Sequence, residues 1–252
     1  IMTWTAGAHG MHGWQWLFII EGIPSVLAGV VAYFYMTDRP EQAKWLTDAD
    51  RAVVRQQLEI DHKAQGERDS DWRTLFSNPM VWLLIAVFFC LLCANSTLTF
   101  GMPTVIREAG FTTPMQVGWI AGAAYLLGAA GMILNGRHSD HRGEVRWHFA
   151  GSALLGAVGM LALAITMGMA SIPVVLALTA MVLALIGTMS AIPVFWQMPN
   201  MLLSGGAAAV GVALINSVAN LAGFGAPYLM GLIKTATGKV APGLYLVAVI
   251  EV

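Results

Sequence analysis

Few side chains in this 252-residue sequence could do chemistry outside its polar turns. Cys90 and Cys93 form a CxxC, a spacing that binds metals or exchanges disulfides in wet, polar settings. Here the pair lies in and just beyond the apolar run Val81–Leu92, so it reads as two small packing residues on one helix face. His138, His141 and His148 gather around Asp140, a donor set a divalent metal could accept; as turn histidines they read instead as solvated side chains. No nucleophile–base pair and no ligand cluster lies deep within an apolar segment. The sequence therefore predicts no enzyme, no cofactor and no metal.

The other chemistry available is proton exchange and hydrogen bonding. Glu21 reads as the only acid inside a membrane span, about five residues from its outer end and roughly 7 Å deep at a helical rise. Two readings fit it: a proton site, or a carboxylate reaching outward or bonding a neighbouring helix. The remaining polar residues in apolar segments are neutral, among them Asn95, Tyr125, Thr188, Gln197, Asn216 and Asn220. Asn216 and Asn220 stand four apart, on one helical face. With Asn95, Tyr125 and an aromatic wall from Trp196, they form the predicted ligand-facing set; each also fits a structural role, bonding between helices.

The elements that must position these groups are apolar helices. Trp147 through Ile233, 87 residues, contain no Asp, Glu, Lys or Arg. A soluble domain cannot sustain that, because its helices and strands need a wet face. A bilayer favours it, since a charge at mid-depth costs roughly 2.5–3.5 kcal/mol on insertion scales. Composition agrees: 57% hydrophobic, 11% charged, against about 25% charged in soluble domains. A net charge of −1 gives no reason to expect a nucleic-acid partner. Six segments approach the ~20 residues of one crossing: Trp14–Met36, Met80–Met102, Pro114–Asn135, Trp147–Met167, Ile172–Met198 and Ala208–Ile233. A seventh run begins near Gly243. Alternating ten-residue strands of a β-barrel are absent. Pro24, Pro193, Pro199 and Pro227 would bend their helices, and Gly118–Gly122 is a GxxxG face predicted to pack closely within the molecule.

Charge sets the orientation. Arg39, Lys44, Arg51, Arg55, Lys63, Arg68 and Arg73 lie between the first two segments, and Arg137, Arg142 and Arg146 two crossings later. Only Arg107, Lys234 and Lys239 fall on the other side, so the first side is predicted cytoplasmic. All 13 Lys and Arg are expected in loops. Segment 38–78 is the one sizeable polar stretch. Thr47-Asp48-Ala49-Asp50 predicts a helix start, with a weak apolar stripe through Ala52, Val53, Leu58 and Ile60, and with Asp61–Asp71 as a flexible return.

The most specific pattern is Gly136-Arg-His-Ser-Asp140-His-Arg-Gly143-Glu-Val-Arg146. Glycine permits a tight reversal, and a carboxylate there can face a neighbouring helix N-terminus. The stretch resembles the signature loop of the major facilitator superfamily. Trp14–Pro24, Thr37–Pro40, Lys44–Thr47, Pro103–Phe111 and Asn216–Phe224 are similar, in order, to the sixth helix, linker, seventh and eleventh helices of its anion:cation symporter family.

The resemblance implies an all-α membrane protein. Residues 1–13 would be an outer loop remnant, 14–37 the sixth helix, 38–78 a cytoplasmic linker with an amphipathic helix, and 79–252 the C-terminal six-helix bundle with its last helix truncated. It implies secondary active transport by alternating access, of a small organic anion such as a carboxylate or sugar acid, with protons, across a bacterial inner membrane. Gly136, Arg137, Asp140, Arg142, Gly143 and Arg146 would latch two bundles together, more weakly where His141 and Glu144 replace the usual basic residues. The expected partners are the anion, the proton, the lipid bilayer and an N-terminal bundle. The start at Ile1 and the stop inside an apolar run predict a piece of a longer protein. A facilitator or drug-efflux pump of the same superfamily is the alternative, and a non-transport membrane protein a more distant one.

Overall fold

The computed structural model describes residues 2–5, 7–37, 40–43, 45–66, 72–203 and 205–251. Every regular element among them is helical. Arg39, Lys44 and Arg68 of the basic segment lie outside the described residues.

Residues 1–67 form one unit, with helices α1 (Met2–Thr5), α2 (Gly13–Tyr35) and α3 (Asp48–Gly66). The 23-residue α2 is apolar around its circumference but for Gln15, Glu21 and Ser25, and buries none of its side chains within the unit. A helix apolar on every face needs lipid or another helix around it. Glu21 is exposed, and the helix begins at Gly13, so the residue lies eight rises, about 12 Å, along its axis. That is deeper than the sequence reading placed it. At α3, Thr47 Oγ1 accepts from the Asp50 amide at 3.2 Å, and Asp50 Oδ2 accepts from the Thr47 hydroxyl at 2.6 Å, a reciprocal cap. The helix continues to Gly66, so the first half of the stretch read as a flexible return is helical instead.

Residues 68–252 form the second unit: α4 (Trp72–Ser77), α5 (Pro79–Glu108), α6 (Pro114–Arg142), α7 (Arg146–Gly168), α8 (Val174–Leu202), α9 (Gly205–Ala219), α10 (Ala222–Thr237) and α11 (Ala241–Glu251). Asn78 Oδ1 accepts from the Met80 amide at 2.9 Å, with Pro79 in the first turn. Thr113 and Gln116 cap α6 reciprocally. Helices α5, α6 and α8 hold 29 or 30 residues, near 45 Å at 1.5 Å per residue. Counting apolar residues measures the hydrocarbon thickness; the helices also cross the headgroup layers. Arg107, Arg137, Arg142 and Lys234 therefore sit in last or near-last helical turns, not in loops.

Small residues set the packing. α7 meets α8 along a seam where a Cβ on Gly187 would collide with the backbone nitrogen of Gly156, and one on Gly159 with that of Ala184. Backbones this close gain dispersion contacts that larger side chains would prevent. Gly118 and Gly122, the GxxxG predicted to pack closely, have nothing within 4 Å of an added Cβ; the close approach falls on other glycines. One core cluster runs through Leu98, Ile106, Met160, Leu163, Met181 and Leu244. A second centres on Phe88 and Phe195, stacked with centroids 4.5 Å apart. Leu126, Leu134, Val175 and Phe224 are among many large apolar residues left facing outward, a surface suited to lipid and aggregation-prone in water.

Candidate functional site

The span predicted as one helix over Ala208–Ile233 is broken. α9 stops at Ala219 and α10 starts at Ala222, with Asn220 and Leu221 in a turn. The cause is local. The Asn220 side-chain amide donates to the Asn216 carbonyl oxygen at 2.7 Å, which also keeps the Asn220 backbone N–H at 3.0 Å, and to Asn216 Oδ1 at 2.9 Å. The side chain thus shares an acceptor with the backbone ladder where that ladder tightens to i→i−3 bonds at Leu221 and Gly223. Both asparagines are exposed. Broken helices with freed backbone groups are where membrane carriers build ligand sites.

The other predicted ligand-facing residues are distributed over neighbouring helices. Asn95 is half-buried on α5, one turn before Thr99, whose hydroxyl accepts from the Tyr125 hydroxyl of α6 at 3.2 Å. Trp196, half-buried on α8, packs edge-on against Phe88 at 4.9 Å and against Phe195 at 5.6 Å. The structure thus pairs Asn216 with Asn220, and links the Asn95 turn to Tyr125. Trp196 belongs to the aromatic cluster of the other core. None of the five lines the cavity beside Asn135 and His148, the one beside Thr97 and Lys234, or the one beside Cys90 and Glu251.

The predicted latch is less of a loop than its sequence suggests. Gly136, Arg137 and Asp140 are helical within α6, which runs to Arg142. Only Gly143 reverses the chain, at φ 63°, a left-handed conformation that favours glycine. Asp140 Oδ1 accepts from Gln197 Nε2 on α8 at 2.9 Å. The carboxylate at the start of a helix is instead that of Glu144, which accepts from the Trp147 amide in the first turn of α7 at 2.8 Å. This hydrogen bond, partly opposed by desolvation and aided by His148, holds the Glu144 carboxyl below the usual range. Arg137, Arg142 and Arg146 are exposed. His138 and His148 come together, whereas Asp140 turns to Gln197, and no metal-sized group of three donors forms among the described residues.

Three groups escaped the sequence reading. Glu251, 8% exposed at the end of α11, accepts from the Thr188 hydroxyl at 2.7 Å and abuts Gly156, while its Oε2 has no partner. Glu21 is therefore not the only acid among apolar helices; the signal was Glu251 itself, eight residues into the run read from Gly243. Asn135, taken as the end of its segment, donates to Ser152 Oγ at 2.9 Å and to the Ser190 carbonyl at 3.1 Å, tying α6 to α7 and α8.

The third is a bridge at the opposite ends of the helices. Lys234 Nζ lies 3.1 Å from Glu108 Oε1, joining α10 to α5. Both side chains are over a third exposed, so the pair is worth about 0.2–1 kcal/mol. A double-mutant cycle on Lys234→Glu and Glu108→Lys in thermal melts should show each reversal destabilising and the double reversal recovering most of the loss; strict additivity would dismiss the pair.

Comparison with known proteins places this architecture. Residues 1–227 match the model of the Major Facilitator Superfamily. A protein of Agrobacterium vitis named "Putative tartrate transporter" is 41% identical over 242 residues, 96% of this chain and 54% of its own length. "Putative metabolite transport protein NicT" of Pseudomonas putida is 34% identical, over 98% of this chain and 57% of its own. A "Quinolone resistance transporter" of Acinetobacter baumannii is 31% identical, over 97% and 55%. The chain spans about half the length of these relatives. With six membrane-length apolar spans among the described residues, one of them broken at Asn220, and this match along nearly all of its length, the chain is a multi-pass membrane protein and belongs to the major facilitator superfamily.

Proposed function

We propose that this chain is the C-terminal half of a secondary active transporter that moves a small organic anion, a carboxylate or sugar acid, together with protons. Two kinds of support meet. Identity to the Agrobacterium vitis protein over nearly the whole chain supports the cargo class. The break at Asn220, with two exposed asparagine side chains in an apolar helix, supports a ligand-facing surface. Polar groups pointing into hydrocarbon are costly, so such a pair belongs on a water-filled cavity. Asn95, Tyr125 and Trp196 join it in this reading as further ligand contacts.

The excess of Arg and Lys in 38–78 and at 137–146 supports a cytoplasmic linker and latch turn, and 32% identity to the "Inner membrane transport protein RhmT" of Escherichia coli supports a bacterial inner membrane. Within this half the donors aimed at ligand are neutral amides and hydroxyls, whereas an anion carrier needs a fixed cation at its site. That cation belongs to an N-terminal bundle, against which this one would rock to alternate access. Glu21 and Glu251 are the acids of this half available for proton coupling.

A second reading is drug efflux, favoured by the 31% identity to the quinolone resistance protein. Counter-flow in proteoliposomes carrying the full-length protein separates the two. Exchange accelerated by tartrate or another hydroxy acid, and not by a quinolone or a lipophilic cation, is the expected result; the reverse pattern assigns efflux.

A further inference from the structure

At the turn between α6 and α7 three ionisable side chains are joined end to end. His148 Nδ1 lies 2.7 Å from Glu144 Oε2, and His148 Nε2 lies 2.7 Å from His138 Nδ1. The imidazole centroids are 4.8 Å apart. These contacts dictate where protons sit. An ionised carboxylate only accepts, so His148 Nδ1 carries the hydrogen it shares with Glu144. The ring-to-ring contact holds one hydrogen: two N–H groups cannot face each other at 2.7 Å, and two lone pairs repel. With no added proton, His138 Nδ1–H donates to His148 Nε2. One added proton enters at His138 Nε2, leaving both contacts intact. A second has only His148 Nε2 to occupy, and would break the chain.

The surroundings favour this single capacity. Glu144 is kept ionised by the Trp147 amide, so a negative charge faces the imidazoles from one end. The pair borders a cavity of about 520 Å³ shared with Asn135, Ser152 and Ser190, which gives water a route to His138. Helix α8, packed across from it, contributes no titratable residue over Val174–Leu202. The remaining charges on the packed elements are Arg137, Asp140, His141 and Arg142 of α6, Arg146 of α7 and Glu251 of α11, which abuts Gly156; Asp140 is engaged by Gln197. Their net positive charge opposes a second proton. The site is also coupled to packing: the His148 carbonyl accepts from Ser152 Oγ at 2.6 Å, and Ser152 in turn accepts from Asn135.

We propose that Glu144, His148 and His138 form a one-proton binding site at this end of the bundle, whose occupancy switches the charge of these three side chains from −1 to 0. It goes beyond the transport reading; only the name of the compartment it samples, the cytoplasm, rests on that reading.

The test is side-chain ¹⁵N NMR of histidine-labelled full-length protein in nanodiscs, titrated from about pH 8 to pH 5. The expected result is one shared step, with the resonances of His138 and His148 moving together and one proton taken up by the pair. Glu144→Gln keeps an acceptor for the Trp147 amide but removes the charge; it should move that step about one pH unit toward acid. His148→Gln should abolish the shared step, because His138 loses the ring it donates to. Two separate one-proton steps in the unsubstituted protein, or an unmoved step in Glu144→Gln, would overturn the proposal. Because those two readouts need no His148 variant, a misfolded His148→Gln leaves the test intact.

Discussion

Gly187→Val is expected to abolish the folded bundle. Any side chain at that position meets the backbone of Gly156, which no rotamer change can relieve. Overpacking usually costs about 1–3 kcal/mol when side chains can adjust. Here main chain opposes main chain, and separating α7 from α8 also opens the core around Met160 and Leu185, so about 3 kcal/mol or more is expected. Fluorescence-detected gel filtration after a temperature ramp should show little or no monodisperse protein. Gly118→Ala and Gly122→Ala, at open positions, should stay within about 0.5 kcal/mol of the parent. A Gly187→Val protein that melts with the parent would remove the seam from this account.

The second large effect falls on the helix break. Asn220→Leu deletes both side-chain hydrogen bonds to Asn216 and leaves Asn216 Oδ1 without its donor, while the carbonyl oxygen keeps the Asn220 backbone N–H. An unmet polar group costs about 1–3 kcal/mol, so uptake of the organic acid selected by counter-flow should fall between about ten- and hundredfold. The asparagines are exposed, so thermal stability should change far less than uptake. Asn220→Asp, which keeps the size and loses the donor, should fall between the parent and the leucine variant. Equal uptake per folded molecule in Asn220→Leu would show that the break has no part in ligand handling.

What the residues disclosed in advance divides by the range of the interaction. Apolar runs located the membrane-length helices, because the bilayer enforces hydrophobicity segment by segment. Their ends were missed where polar residues stay helical past the hydrocarbon, as in Gly136–Arg142. The break at Asn220 was hidden for a related reason: an asparagine in an apolar run looks the same whether its amide bonds another helix or its own backbone. The pairing of Asn216 with Asn220 was visible, since four residues is one helical turn. The direct contact of His138 with His148, without Asp140, was not, because ten residues apart their geometry depends on the left-handed Gly143. Nor did spacing reveal which small residues form the seam; GxxxG at Gly118 looked better than Gly156 with Gly187, and only the tertiary register separates them.

That seam also has a pharmacological meaning. At the glycines where their main chains touch, the two helices leave no gap that a lipid tail or a greasy inhibitor could wedge open; the cavity beside them opens toward α6 instead. A compound partitioning from the bilayer would have to grip elsewhere, on the outward rims of α6 and α10 where Leu126, Leu134 and Phe224 stand free. Resistance substitutions should then accumulate on those rims and spare the glycines.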